Sequence, residues 1–238
     1  MHELALFAGS GCGLLGSKLL GWQTAGAVEI NEFRRRDLMA RQDDGSLDIF
    51  PIWDDVRTFD GFSWRGLVDV ITGGFPCVGI SSARQNGING KVAGLADPDS
   101  GLWREEARII REVEPRHVLV ENSPNLTVRG LSLILGDLAS MGFNAKWGVF
   151  SAESLGAPHE RERLWIKATN PNRPQCERGS LSSGIHQENP DAWCCSWWNN
   201  KPGVYGVDDG TPDRVDRLAA IGNGQVPAMV RLAWETLT

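Results

Sequence analysis

Cys77 stands just past the end of an apolar run. Leu67 to Thr72 carries β-branched residues and stops at Gly73-Gly74, the pattern of a buried strand that delivers a loop, and Phe75-Pro76-Cys77 sits at its mouth. Ligands of open α/β sheets bind in the loops beyond the carboxyl ends of the strands, so this position offers a candidate nucleophile; the competing reading is a small buried apolar side chain. A second strand, His117 to Val120, emits Glu121-Asn122-Ser123-Pro124. That places a carboxyl group at a neighbouring strand end, suited to acid chemistry or to capping the next helix. Arg161 and Arg163 alternate within Gly156 to Ile166, so a strand there turns both guanidinium groups to one face, in a site or on a solvated edge.

A third group of residues suits a nucleoside. Leu4 to Phe7 is a short apolar strand that runs into Ala8-Gly9-Ser10-Gly11-Cys12-Gly13 and then a helical stretch, Leu14 to Leu20. Glycines at such a junction let a ligand approach the backbone at a helix N-terminus. A strand from Ala25 to Ile30 bears Glu29, whose carboxylate, at that place after the glycine turn, can accept both hydroxyls of a ribose. Asp55, closing a predicted strand over Ile49 to Val56, can accept a hydrogen bond from an adenine amino group or simply face solvent.

The remaining elements hold these groups in place. Asn31 to Gln42 reads as a surface helix, Ser100 to Glu114 as a helix buried on Leu102, Ala107, Ile109, Ile110 and Val113, and Leu126 to Met141 as another helix. Phe143 to Phe150 is a strand, and Val226 to Leu237 a helix opened by Pro227. Residues 170–216 break the rhythm with Pro, Gly, Asn and Ser around Trp193, Trp197, Trp198 and Tyr205, an irregular insertion pinned by aromatics. With 238 residues and 41% hydrophobic composition the chain can bury a real core. Its five cysteines are odd in number and show no CxxC spacing, which argues against a disulfide framework or a zinc site. Without a signal peptide or a spanning run, a cytoplasmic protein with no membrane role is expected. A net charge of −6 confines any nucleic-acid contact to a local groove.

Phe7-Ala8-Gly9-Ser10-Gly11, Glu29, Gly74-Phe75-Pro76-Cys77, Glu121-Asn122, Arg161-Glu162-Arg163 and Gly222-Asn223-Gly224 together resemble the ordered motifs of the DNA (cytosine-5) methyltransferases, from about residue 4 to 168 and again from 214 to 234. The resemblance implies a Rossmann-like α/β fold with a mixed, mostly parallel sheet, S-adenosylmethionine as methyl donor, and a flipped cytosine of double-stranded DNA as acceptor. It divides the chain into a catalytic domain at 1–168, a small target-recognition insertion at 169–213 and a returning segment at 214–238. No obligate protein partner is implied. The compact size is similar to that of bacterial or phage members, which work in restriction-modification or phage self-protection.

The chemistry suits those residue types. Carbon 5 of cytosine is too poor a nucleophile to take a methyl group from a sulfonium directly, so a thiolate must first add at C6, and Cys77 is placed for that by the resemblance. Glu121 would protonate or hydrogen-bond N3, Arg163 would reach O2 with Arg161 alongside, and Asn122 completes the pair of motif residues. Phe7 would flank the adenine, Gly9, Ser10 and Gly11 would lie along the methionine moiety, Glu29 would hold the ribose, and Asp55 and Val56 would read the adenine edge. Gly74, Pro76, Leu102 and Asn223 complete the cofactor pocket. The Phe75 carbonyl would meet the cytosine amino group, and the loop from Ser81 to Gly94 would close over the flipped base. Arg84 and Lys91 on one side, with Lys167, Arg173, Arg178 and Lys201 on the other, are the expected phosphate contacts. Val78, Ser123 and His159 depart from the family pattern, which usually has Gln, Val and Gln at those places. Rival readings are an RNA cytosine-5 methyltransferase and a noncatalytic binding module; a dehydrogenase is disfavoured because Gly9-x-Gly11-x-Gly13 is not GxGxxG.

Overall fold

The computed structural model describes residues 1–76, 102–157, 159–174 and 224–238. Chain order gives β1 (His2–Leu6), α1 (Cys12–Leu19), β2 (Gln23–Val28), α2 (Glu32–Asp43), β3 (Ile52–Trp53), β4 (Val70–Gly73) and α3 (Leu102–Val113). There follow β5 (His117–Asn122), α4 (Leu126–Arg129), α5 (Leu131–Ser140), β6 (Asn144–Ser151), β7 (Glu162–Thr169) and, after the undescribed stretch, α6 (Pro227–Thr236). The strands form one seven-stranded sheet in the order β3-β2-β1-β4-β5-β7-β6. β1 to β5 run parallel, and β7 enters antiparallel between β5 and β6, so the sheet is mixed and mostly parallel.

Alternation along the strands divides the core. Leu4, Leu6, Ile71, Val118, Val120, Leu164 and Ile166 face α3 and α5, burying Ile109, Ile110, Ile134 and Leu138 with them. The intervening residues face the other way: Val70, Leu119 and Trp165 meet Met229, Val230 and Ala233 of α6, while Ala5 and Ala27 meet Leu14 of α1 and Leu38 of α2. α1 and α6 touch at Gly16, where a Cβ would lie 2.6 Å from both the Pro227 carbonyl oxygen and Val230 Cβ. The missing side chain is what lets α6 dock there, and the Trp22 and Trp234 rings, 4.6 Å apart and edge to face, close the far end of that contact.

Three expectations about elements are corrected. The third strand shrinks from Ile49–Val56 to Ile52–Trp53, because only Ala27 and Val28 of β2 pair with it, the Ala27 and Glu29 N–H groups donating to the carbonyls of Pro51 and Trp53. The long helix over 126–141 is two helices divided at Gly130. β5 continues through Asn122, so Glu121 and Asn122 are ladder residues paired with Trp165 and Leu164 of β7 rather than loop residues. That last change matters for chemistry, because a rigid strand now sets the carboxyl position.

Candidate active site

The carboxyl ends of β1, β2, β4 and β5 lie at one pole of the sheet, and antiparallel β7 begins at that same pole. Glu121, 8% exposed, is there on the α6 face. Its Oε1 lies 2.9 Å from Arg163 Nε. Its second oxygen, Oε2, lies 3.1 Å from where a Cβ on Gly74 would stand, so the bare backbone of Gly74 makes room for the acid. Gln225 donates a side-chain hydrogen bond to the same carboxyl. Burial pushes the Glu121 acid above the ordinary carboxylate range, opposed first by the charge of Arg163, then by Arg161, then by the bonds from Gln225 and Arg163. A carboxyl that retains its proton more readily than usual, yet is oriented by cations, can give that proton to a bound base.

Arg161 donates from Nη2 to the Gly224 carbonyl at 2.6 Å, tying the start of β7 to the segment that enters α6. Its own pKa is lowered, mainly by burial and next by neighbouring Arg163. The pair therefore shares one face, as the alternation predicts, and β7 is an interior strand rather than a solvated edge. Asn122 is 3% exposed. Its Nδ2 donates to the Phe75 carbonyl at 3.2 Å, and its Oδ1 accepts from Ser123 N at 2.8 Å. One acceptor site of the carbonyl expected to meet a cytosine is thus taken by protein, while the Phe75 ring is buried 5.8 Å from that of Trp103.

On the other side of the pole, Phe7 has φ 55, a left-handed conformation unusual for an aromatic residue, and turns the chain sharply out of β1. Gly9 follows with φ 58 and nothing within 4 Å of where its Cβ would stand, so open space lies over the backbone. Glu29, 4% exposed, accepts from Gly9 N and from Asn31 N, each at 2.8 Å. Ser10 donates to Asp37 at 2.6 Å, and Gly11, also left-handed, precedes the first residue of α1. Val56 is buried, and Asp55 accepts from Arg57 N at 2.9 Å. Arg108 of α3 fixes this segment by donating to the Val56 carbonyl at 2.8 Å and to that of Phe59 at 3.1 Å, while Glu105 and Glu112 brace the guanidinium. Leu102 is partly buried at the start of α3, and Pro76 is exposed.

Two expected phosphate contacts belong elsewhere. Lys167 is 6% exposed, on the α6 face of β7. Its Nζ lies 3.8 Å over the Trp234 ring and donates to the Trp234 carbonyl and to Thr238 Oγ1, each at 2.9 Å. Arg173 lies past the opposite end of β7, paired with Glu114, and its carbonyl accepts from Arg116 at 2.7 Å. Because β7 runs away from the site, each residue after Trp165, the ladder partner of Glu121, is carried about 3.3 Å further from that acid along the strand. Cys77, Ser81, Arg84, Lys91, Arg178, Lys201 and Asn223 lie outside the described residues.

A clamped acid and two arginines thus stand at the pole where β4 ends, and in sequence β4 leads through Pro76 to Cys77. Residues 1–191 match the model for C-5 cytosine-specific DNA methylase. The chain belongs to that family. It is 30% identical over 211 residues to the type II methyltransferase M.CviJI of Paramecium bursaria Chlorella virus IL3A, covering 88% of this chain and 52% of that protein. It is 30% identical over 197 residues to M.Eco47II of Escherichia coli, covering 80% and 42%. The methylase-family chain thus spans about half the length of these relatives. Among solved structures, a prophage-encoded DNA modification methyltransferase from E. coli superimposes with a TM-score of 0.55 at 21% identity, over 71% of this chain and 47% of that one. The DNMT2 of Spodoptera frugiperda, an E260A/E261A/K263A mutant, gives 0.56 at 18%, over 79% and 53%. These likenesses show the fold: the Rossmann-like methyltransferase sheet.

Sequence reasoning missed three residues of the methylase site and its supports. Arg108 reads only as a charged position on a helix, and nothing local announces its carbonyl partners. Gln225 follows the Gly222-Asn223-Gly224 turn, so its place was readable from the motif but its partner was not. Glu106 lies among the apolar positions of α3, is 0% exposed, and neither oxygen has a hydrogen-bond partner among the described residues.

Proposed function

We propose that this chain is a DNA cytosine-5 methyltransferase that transfers a methyl group from S-adenosylmethionine to a cytosine turned out of double-stranded DNA. The observation that carries this reading is the buried Glu121 carboxyl, gripped by Arg163 and Gln225 at the end of β5, next to the strand whose mouth leads into Cys77.

The residues fit the methyl donor. Glu29 is buried and held by two backbone N–H groups at the end of β2, with acceptor capacity left for ribose hydroxyls. Open space over Gly9 admits the methionine moiety, with Ser10 and Gly11 continuing that cradle, and Phe7, Asp55, Val56 and Leu102 border the adenine region. Gly74, Pro76 and Asn223 complete the set. When bound, S-adenosylmethionine supplies an electrophilic methyl group carried on a sulfonium.

The chain's own residues do the rest. The Cys77 thiolate adds to C6 of the cytosine, forming an S–C6 bond, while the C5–C6 double-bond pair shifts to C5 as a nucleophile. Glu121 gives a proton or a strong hydrogen bond to N3, and Arg163, with Arg161 behind it, draws charge toward O2. After C5 is methylated, loss of the C5 proton to a base or water restores the double bond and expels the thiolate. Asn122 holds the Phe75 carbonyl in place at the mouth of the strand. Residues 169–213 are proposed to read the target, and residues 214–238 to complete the catalytic domain. Ser81, Arg84 and Lys91 are proposed to face DNA. The similarity to type II methyltransferases favours DNA marking inside a bacterial or virus-infected cell.

The test is a trap. Duplex DNA carrying 5-fluorocytosine has no C5 proton to lose, so with S-adenosylmethionine present the protein should remain attached through denaturation, and Cys77→Ala should abolish attachment. Label from the methyl donor appearing in RNA alone, or attachment surviving Cys77→Ala, would overturn the proposal.

A further inference from the structure

The acid at the end of β5 is held by more than its arginine. Gln225 comes from the segment entering α6, a hundred residues later in sequence, and its amide is threaded between two glycines. A Cβ on Gly13 would lie 2.4 Å from Gln225 Oε1, and a Cβ on Gly74 would lie 3.3 Å from Gln225 Nε2 and 3.1 Å from Glu121 Oε2. Any side chain at Gly13 would push the amide from this position, and one at Gly74 would crowd both it and the acid. The geometry also orients the amide: its oxygen faces the start of α1 and its NH2 faces Glu121, with which it forms a hydrogen bond. Arg161, by bonding the Gly224 carbonyl at 2.6 Å, fixes the backbone immediately before Gln225.

We propose that Gln225 is a positioning residue for methyl transfer, holding the Glu121 carboxyl against Gly74 and aligning it for N3 of the flipped cytosine. The inference rests on the methyltransferase reading above and assigns a role to a residue outside the set that touches base or cofactor. Arg163 alone would leave the carboxyl free to swing about its single ion pair. With Gln225 on the other side and no Cβ on Gly74, both oxygens have defined places. Charged and titratable groups acting here are Arg163 and Arg161 from β7 and its approach, and Cys12 at the first residue of α1, which acts on Arg161. An amide NH2 stabilises the ionised carboxylate, so removing it makes Glu121 keep its proton to higher pH. Activity that needs the protonated acid is then retained further into the alkaline range.

The experiment uses Gln225→Leu, which removes the donor, and Gln225→Glu, which keeps the shape and adds a second carboxyl. The Glu121 carboxyl is titrated directly by 13C NMR, its resonance assigned by its loss in Glu121→Gln, and the alkaline limb of kcat is measured on duplex DNA. Gln225→Leu should raise the Glu121 midpoint by about half to one pH unit, and Gln225→Glu by more, because two carboxyls in contact resist joint ionisation. The alkaline limb of kcat should move the same way, with KM for S-adenosylmethionine within about twofold of wild type. A midpoint unmoved in both variants, or a uniform fall in kcat with no displacement of the limb, overturns the proposal. If the NMR midpoint moves while the unaltered protein methylates no DNA, the hold of Gln225 on Glu121 stands and the methyltransferase reading falls instead.

Discussion

Glu106 offers a direct test of what burial costs in this fold. Its carboxyl is fully enclosed and unpartnered among the described residues, and desolvation pushes its pKa from the ordinary 4.5 up to about 8. In the unfolded chain the same group gives up its proton near 4.5, so between that pH and about 8 the folded state binds the extra proton and stability falls as pH rises. Each pH unit of the gap is worth about 1.4 kcal/mol, which sets a ceiling of about 5 kcal/mol on the loss once the pH reaches 8, of which local relaxation leaves about 2 to 5 kcal/mol. Glu106→Met keeps the length and removes the charge. Urea unfolding of both proteins at pH 5, 6.5 and 8 should show the variant gaining on wild type at each step, its midpoint at pH 8 higher by about 1 M or more. Gly73 supplies the control, because a Cβ there would lie 2.2 Å from Glu106 Oε1. Gly73→Ala should destabilise wild type by about 1 to 3 kcal/mol and cost much less in a Glu106→Ala background. A stability difference between wild type and Glu106→Met that is flat across pH would refute the reasoning.

Two further predictions come from residues whose structural partners displaced or extended their sequence reading. Lys167→Met should lower stability by about 3 kcal/mol in urea unfolding, since a charged group bonded to the end of α6 and stacked on Trp234 is lost. The slope of DNA affinity against salt should stay the same, whereas loss of a true phosphate contact would reduce it by about 0.9. Arg108→Gln should cost about 2 to 3 kcal/mol of stability and weaken S-adenosylmethionine binding about tenfold, while kcat at saturating cofactor stays near wild type, because the Val56 and Phe59 carbonyls lose their common donor. Calorimetric titration with the cofactor and steady-state kinetics check the two halves of that claim.

The strands and helices that carry the site were legible where a period of two or 3.6 ran for several residues, as along α3 and β7. The surface helix after Asn31 and the helix opened by Pro227 followed from local rules, and the structure repeats them. Residues whose roles depend on long-range contact were not legible. Lys167 looks like any exposed lysine, and only the register of β7 against β5 shows that its side chain must turn toward α6. Glu106 breaks the apolar face of α3 in sequence, yet the gap at Gly73 that receives it is formed by a strand thirty-three positions away. Asp55 and Val56 were placed on a longer strand than the two residues that pair, because an apolar run gives no information on how much of β2 is free to receive it. Gln225 was readable as part of a turn but not as a partner of Glu121.

The dispersed origin of that carboxyl's cradle has a consequence for synthesis. As the polypeptide leaves the ribosome, the pocket residues of β1 and β2 emerge first, Glu121 midway, Arg163 later, and Gln225 after a long further stretch. A polypeptide that stops short of residue 225 lacks the Gln225 side of that clamp and also the Met229, Val230 and Ala233 side chains that cover Val70, Leu119 and Trp165, so both halves of the grip on the acid are in place only once this late segment docks on the sheet.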